Sequence, residues 1–305
     1  MRRTDVDLDQ TRSAIERVLL ATLAETLRGA PDCISESIRY AVLAPGKRVR
    51  PLLVVAAYEA SNGAAGRTEG TTRNDAIYRL ACGVELVHAY SLVHDDLPCM
   101  DDDDLRRGRS TVHMEFGVRA AIFAGAALMP LAVEVVGDAA TELGLTDPAA
   151  ARLVRILTAA SGGNGMVGGQ LLDLRAEGRR VDLGELEAIH EGKTAKLIEA
   201  SCMMGAAAAG GDEETISRLS RYGRALGLAF QVVDDILDVT GTPQSMGKAG
   251  GRDAELGKAT HPMLVGLDRA RERARVLVDR ALAEIEPLPA DGLEQLAHIV
   301  RDRQR

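Results

Sequence analysis

Aromatic side chains are the scarcest class in this chain, with five Tyr, three Phe and no Trp among 305 residues. Surfaces that stack nucleobases need aromatics. A net charge of −8 without a long basic run also argues against a nucleic-acid partner. Cysteine is sparse as well: Cys33, Cys82, Cys99 and Cys202 are scattered with no CxxC pair. That excludes a disulfide framework or a cysteine zinc site and predicts reduced thiols in a cytoplasmic protein. Long apolar runs are missing. The longest, Ala120 to Val133, contains Gly125 and Pro130 and is short for a bilayer span, so it reads as a buried core helix and no integral membrane segment is expected. The N-terminus, MRRTDVDLDQ, meets acids before any apolar stretch and does not resemble a signal peptide.

Strand patterning is nearly absent too, since no β-branched alternation lies between hairpin turns. Helical spacing recurs instead. It predicts helices over 11–28, 33–43, 48–60, 75–96, 114–142, 149–160, 183–191, 194–208, 213–239, 262–285 and 290–303, with another from the glycine-rich 161–169 through Arg175. Asp147-Pro148 supplies a cap and first-turn pair, and Asp182 and Glu185 have capping-box spacing. Residues 61–74 read as a polar loop. No composition shift divides the chain, so the expectation is one all-α domain over 1–305.

What the chain has in excess is acid in two places. Asp95, Asp96, Asp101, Asp102, Asp103 and Asp104 crowd into ten positions, followed by Arg106, Arg107 and Arg109. Such carboxylates repel unless cations sit among them. Hard oxygen ligands suit Mg²⁺, which takes one or two carboxylates plus substrate phosphates, and arginines suit those phosphates. A solvated acidic loop or a calcium site is the alternative for an isolated run. A second cluster weighs against it: Asp234, Asp235 and Asp238 lie on an otherwise apolar helix, with Asp234 and Asp238 on one face. Asp95 and Asp101, six apart, would diverge on a straight helix, and a break at Pro98 is what can bring them together.

Basic residues accompany the acids. Lys47, Arg48 and Arg50 in GKRVRP are expected to cluster where a helix starts, with Pro51 disfavouring a helical Arg50; the cluster suits a phosphate, although by itself the run reads better as an ordinary surface patch. Lys248 and Lys258 follow the second acidic helix on glycine-rich turns. Lys193-Thr194 lacks the glycines of a P-loop but offers a charge and a hydroxyl. A rival reading comes from Glu85-x-x-His88 and Glu187-x-x-His190, the spacing of di-iron carboxylate bundles. A di-iron centre has no use for the surrounding phosphate-binding cations.

Taken in order, GKRVRP, ELVHAYSLVHDDLPCMDDDDLRRG, GGQLLDL, EGKTAKLI, FQVVDDILD, GKAGGRD and LGKATHP resemble the trans-prenyl diphosphate synthases from about residue 40 to the C-terminus. The DDx₄D form of the first motif most resembles the bacterial farnesyl diphosphate synthases. The resemblance implies an all-α isoprenoid-synthase bundle around a deep central cavity, in a homodimer. It implies Mg²⁺ on Asp95, Asp101 and Asp234, with Asp96, Asp235 and Asp238 in support. It places Arg106, Lys193 and Lys258 on the allylic diphosphate, with Lys248 as a further contact. Lys47, Arg50, His88 and Arg107 match the isopentenyl diphosphate pocket, and Thr194 and Gln231 lie beside the reacting carbons. Tyr90, five before Asp95, would floor the pocket with Ser91 and stop growth at C15.

The implied reaction ionises an allylic diphosphate, and the double bond of isopentenyl diphosphate attacks the cation head to tail. A C10 or C20 product is the alternative outcome. So, from other classes, are a terpene cyclase and a catalytically silent partner subunit. Few aromatics speak against the cyclase, and intact acidic motifs against the silent subunit. One departure stands out: Gly125-Ala126-Ala127-Leu128-Met129-Pro130 lacks the family's usual Asp and gains a proline, which predicts an altered wall beside the first acidic helix.

Overall fold

A computed structural model describes residues 7–62, 71–240 and 258–303. Its helices are α1 (Leu8–Thr26), α2 (Asp32–Val42), α3 (Val49–Asn62), α4 (Thr71–Asp95), α5 (Val112–Phe116), α6 (Val118–Glu142), α7 (Asp147–Ser161) and α8 (Met166–Ala176). After these come α9 (Leu183–His190), a π-helical turn (Glu191–Ala195), α10 (Lys196–Ala208) and α11 (Glu213–Thr240). Beyond the undescribed stretch lie α12 (His261–Val265), α13 (Leu267–Ile285) and α14 (Asp291–Asp302).

Two long helices organise the rest. α4 is buried around much of its circumference, with Ile77, Leu80, Cys82, Val84, Leu86 and Val87 all inaccessible, as expected of a helix enclosed by others. It packs mainly on α6, α3 and α1, while α11 packs on α10, α13 and α14. Tyr222 of α11 is fully buried, and its hydroxyl donates to the Leu293 carbonyl (2.7 Å), which ties α14 to the bundle. One apolar cluster runs from Ile15 to Val300 through both long helices. Each acidic motif therefore sits at the C-terminal end of a helix gripped by the core.

The helix at 118–142 meets the length and apolarity of a membrane span. Its inner face, including Ala124, Leu128, Ala132 and Val135, is buried, and it packs chiefly against α4. That arrangement is what the core-helix reading of residues 120–133 expects. Ala126 and Pro130 lie on its exposed side, and the helix continues through Pro130. The departure expected to alter the wall thus points away from the first acidic helix, because Ala126 and Pro130 are exposed while Ala124 and Leu128 fill the buried face of the helix.

Several boundaries differ from periodicity. The predicted 114–142 and 262–285 helices are each broken, at Gly117 (φ 85°, ψ 155°) and Gly266 (φ 86°, ψ 155°). That backbone region is essentially open to glycine alone. Asp147 and Pro148 are already helical and Thr146 holds the cap position. Arg50 is helical despite Pro51, so the steric bias of a proline on its predecessor is overridden here; Pro51 itself falls in the first turn, where its missing N–H forfeits no helical hydrogen bond. The helix predicted from 75 starts at 71, inside the expected loop. The capping box is as read: Asp182 accepts from Glu185 N (2.8 Å) and Glu185 from Asp182 N (3.2 Å). All four cysteines are free.

A two-residue antiparallel hairpin, β1 (Leu105–Arg106) and β2 (Arg109–Ser110), escaped the pattern search. Its turn residues Arg107 and Gly108 both have positive φ (53° and 75°), the requirement of a tight hairpin turn.

Candidate active site

The first acidic motif closes on itself where α4 ends. The Asp101 N–H donates to the Asp95 carbonyl (2.9 Å) and Asp102, at φ 50°, donates to Leu97 (3.2 Å). The chain turns back at Pro98, so Asp95 and Asp101 line one cavity. Burial, with Asp101 and Asp96 adding negative charge and Lys193 opposing, raises the Asp95 carboxyl to about 6. Such a carboxylate lacks enough positive charge around it, and a hard cation would supply it.

Two cavities meet at this point. A polar one of about 300 Å³ is lined by Asp95, Asp101, Asp103, Arg106, Asp173, Lys193, Gln231, Asp235, Asp238 and Lys258. A mostly apolar one of about 320 Å³ is lined by Tyr90, Ser91, His94, Met100, Met166, Val167, Leu171 and Leu174, together with Arg50, His88 and Thr194. Leu92, Asp95 and Lys193 belong to both. The Thr194 hydroxyl donates to Gln231 Oε1 (2.8 Å), joining the π-helical turn to α11 across the junction. Turns of this kind recur at functional sites.

The predicted cations are brought in with partners. Arg106 Nε donates to both oxygens of Asp96 (2.8 and 2.9 Å). Lys193 Nζ donates to Asp173 (2.7 Å) and Lys258 Nζ to Asp101 (2.8 Å). Lys258 is raised by Asp173 and Asp101 despite burial. Lys248 lies outside the described residues.

On the other side, Asp234 meets Arg303 from the C-terminal end of the chain (3.1 Å), whose guanidinium lies over the Phe230 ring. Burial raises the Asp234 carboxyl, opposed by Arg303, Arg50 and Lys47. Asp234 does not line the polar cavity, whereas Asp235 and Asp238 do. Asp235 is buried, accepting from the His261 N–H (2.8 Å) and from Gln231 (3.2 Å).

Lys47 and Arg50 are both lowered by burial. Arg50 Nη1 meets His88 Nε2 (3.3 Å), and its buried Nε has no protein partner. Burial and four nearby arginines hold His88 well below its usual range, so the ring is neutral. Arg107 donates to the Pro45 carbonyl (2.7 Å). Buried guanidinium without full pairing is the chemistry of an anion pocket. Arg48 departs from its expected place in that cluster. At φ 51° it turns inward and pairs with buried Glu85 (2.6 Å). Glu187 likewise pairs with Arg273 (2.7 Å). The two E-x-x-H glutamates are therefore engaged by arginines, and neither of them lines the cavities at Asp95.

Tyr90 and Ser91 line the apolar cavity from α4, about one turn before Asp95, and Tyr90 has company. His94, one turn on, stacks edge-on against it (4.8 Å), and its Nε2 is 3.2 Å from the Ile122 carbonyl. Gly125 makes the room: a Cβ there would fall 2.1 Å from His94 Nε2. Sequence reading also passed over Asp173 and Gln170. Gln170 is 8% exposed, lines the apolar cavity and has no protein partner for either amide atom. The run GGQLLDL holds both residues, though its role is visible only once α8 is seen against the cavity.

Comparison with known proteins agrees with this arrangement. Residues 31–296 match the Polyprenyl synthetase family. The farnesyl diphosphate synthase of Escherichia coli is 44% identical over 279 residues, covering 89% of this chain and 90% of that protein. The chloroplastic geranylgeranyl pyrophosphate synthase of Catharanthus roseus is 45% identical over 277 residues, 90% of this chain and 74% of that one. In structure, the geranyltransferase of Helicobacter pylori, solved with magnesium and isoprenyl diphosphate, superposes with a TM-score of 0.83 at 32% identity, covering 99% of this chain and 98% of that one. The all-α bundle, the two acidic helix ends and the paired cavities thus have a common explanation: this chain belongs to the polyprenyl synthetase family and is a trans-prenyltransferase that elongates prenyl chains head to tail.

Proposed function

We propose that the chain condenses isopentenyl diphosphate with dimethylallyl and then geranyl diphosphate, and that it stops at farnesyl diphosphate. The observation that carries this reading is the junction of a polar and an apolar cavity at Asp95 and Lys193. An allylic diphosphate has the same division, a charged head on an apolar tail. Arg106, Lys193 and Lys258 hold its head, with Lys248 as a further contact from outside the described residues. Lys47, Arg50, His88 and Arg107 hold the second diphosphate, and neutral His88 accepts from Arg50 and so orients it.

In this reading Asp95 and Asp101 on one side and Asp234, here paired with Arg303 beside the polar cavity, on the other would hold Mg²⁺, with Asp96, Asp235 and Asp238 in support. The donor set is all hard carboxylate oxygen, and the raised Asp95 fits it. When bound, Mg²⁺ supplies neutralisation of the charge that grows on the departing diphosphate. The lysines and Arg106 add to that neutralisation from fixed positions. Thr194 and Gln231 present oxygen towards the developing allylic cation, and the apolar walls keep water from quenching it.

Tyr90, with Ser91 above it and His94 beside it, floors the tail cavity, which supports C15. A C20 product is the second reading, favoured by the identity to a plant geranylgeranyl pyrophosphate synthase. We further read residues 1–305 as one domain in a cytoplasmic homodimer. Val118, Ile122, Ala126 and Pro130 recur every fourth position on the exposed side of α6, with Phe123 60% exposed beside them. An apolar stripe of that kind suits a second copy. Incubation with Mg²⁺, isopentenyl diphosphate and each allylic primer tests the function. C15 from both dimethylallyl and geranyl primers is expected, and mainly C20 would overturn the farnesyl assignment.

A further inference from the structure

Two side chains of the polar cavity meet at Asp173, a residue with no role in the proposed function. Its Oδ2 accepts from Lys193 Nζ (2.7 Å) and from Lys258 Nζ (3.3 Å). One oxygen thus registers two ammonium groups, one from the π-helical turn and the other from just before α12. Without a carboxylate between them the two cations would repel across a largely buried space.

We propose that Asp173 is the positioning residue of the allylic diphosphate site, fixing where Lys193 and Lys258 present their charge. The proposal rests on the reading that these two lysines hold that diphosphate. Helix α8 secures Lys193 at both ends. Gly169, one turn before Asp173 and on the same face, lies against the π-helical turn so closely that a Cβ there would be 2.1 Å from Lys193 N. A Cβ on Gly192 would in turn meet Gly169 Cα at 2.9 Å. The backbone of the lysine is set by Gly169 and its ammonium by Asp173.

Lys258 has a second carboxylate, Asp101 at 2.8 Å, and Glu177 lies at 3.7 Å. Asp101 is also a ligand in the proposed metal site, where a cation competes directly with Lys258. Asp173 is the anchor that keeps Lys258 in the cavity once Asp101 is engaged elsewhere.

The consequence is counter-intuitive on charge alone. A carboxylate beside an anion site repels the anion, so removing it by simple electrostatics tightens anion binding. Positioning predicts the opposite. Titration calorimetry of the full-length enzyme with inorganic pyrophosphate and Mg²⁺, and initial rates with each substrate varied in turn, separate the two. Asp173→Asn, which keeps shape and removes charge, is expected to weaken pyrophosphate binding and raise the KM for the allylic substrate roughly tenfold, the scale on which supporting residues act. The KM for isopentenyl diphosphate is expected to change by less than about twofold, because that pocket is built from other residues. Asp173→Glu, which keeps the charge but moves it by a methylene, should also weaken binding and guards against a poorly folding Asn variant. Unchanged or tighter pyrophosphate binding in both variants overturns the proposal. Lys193→Ala and Lys258→Ala in the same assays test the underlying reading: if neither affects the allylic KM, that reading fails. If both do while the Asp173 variants do not, the positioning role alone fails.

Discussion

Asp95 is expected to destabilise the ligand-free protein at neutral pH, and Asp95→Asn to relieve the cost. The carboxyl is raised from 3.8 to about 6, chiefly by burial, with Lys193 offsetting only part. Its pKa is thus higher folded than unfolded. Below about pH 4 both states are protonated and the residue costs nothing on this account. Between about pH 4 and 6 the unfolded chain gives up this proton while the folded state keeps it, so stability falls across that window and levels off above it, where the folded state carries the buried charge. A tenfold change in proton affinity corresponds to about 1.4 kcal/mol, and two such decades give a penalty of about 3 kcal/mol, to order of magnitude. Urea unfolding followed by circular dichroism, in the presence of a chelator at pH 4, 5, 6 and 7.5, measures it. Asp95→Asn should gain over the parent as pH rises, by about 1–3 kcal/mol at pH 7.5, and show almost no gain at pH 4. Mg²⁺ with pyrophosphate should narrow the gap at pH 7.5, because only the parent has the anionic ligand to gain from it. A variant no more stable than the parent at pH 7.5, or a difference independent of pH, would refute the reasoning.

Other outcomes follow from neighbouring features. Tyr90→Ala should lengthen the product, whereas Gly125→Ala, which drives His94 off α6 towards Tyr90, should shorten it; chromatography of the dephosphorylated prenols distinguishes the two. Gln170→Leu replaces a buried amide without protein partners. It should raise stability by about 1–3 kcal/mol while lowering turnover, which thermal melts and rate assays would show together. Gly266→Ala puts a side chain at φ 86° and should cost about 1–3 kcal/mol in urea unfolding without changing the KM of either substrate.

Much of the site was legible because its chemistry is concentrated locally. Aspartates on both sides of a proline can be read as a chain that turns back on itself, and the turn at Asp101 and Asp102 is what such a break produces. The capping box and the core placement of α6 were equally visible. What stayed hidden depends on pairings across the chain. Asp173 acquires meaning from residues 20 and 85 positions away, and His94 from a glycine on another helix. The breaks at Gly117 and Gly266 leave the apolar spacing undisturbed, so periodicity runs straight through them. Arg48 looked interchangeable with Lys47 and Arg50 until its inward turn gave it to Glu85.

The shared border of the two cavities at Leu92, Asp95 and Lys193 has a corollary. Under the proposed function, a growing chain of any size presents its breaking bond at this doorway, while its tail occupies the room beneath. Remodelling that room would leave the threshold untouched, so a few replacements below it would alter the product without disturbing the bond-breaking step.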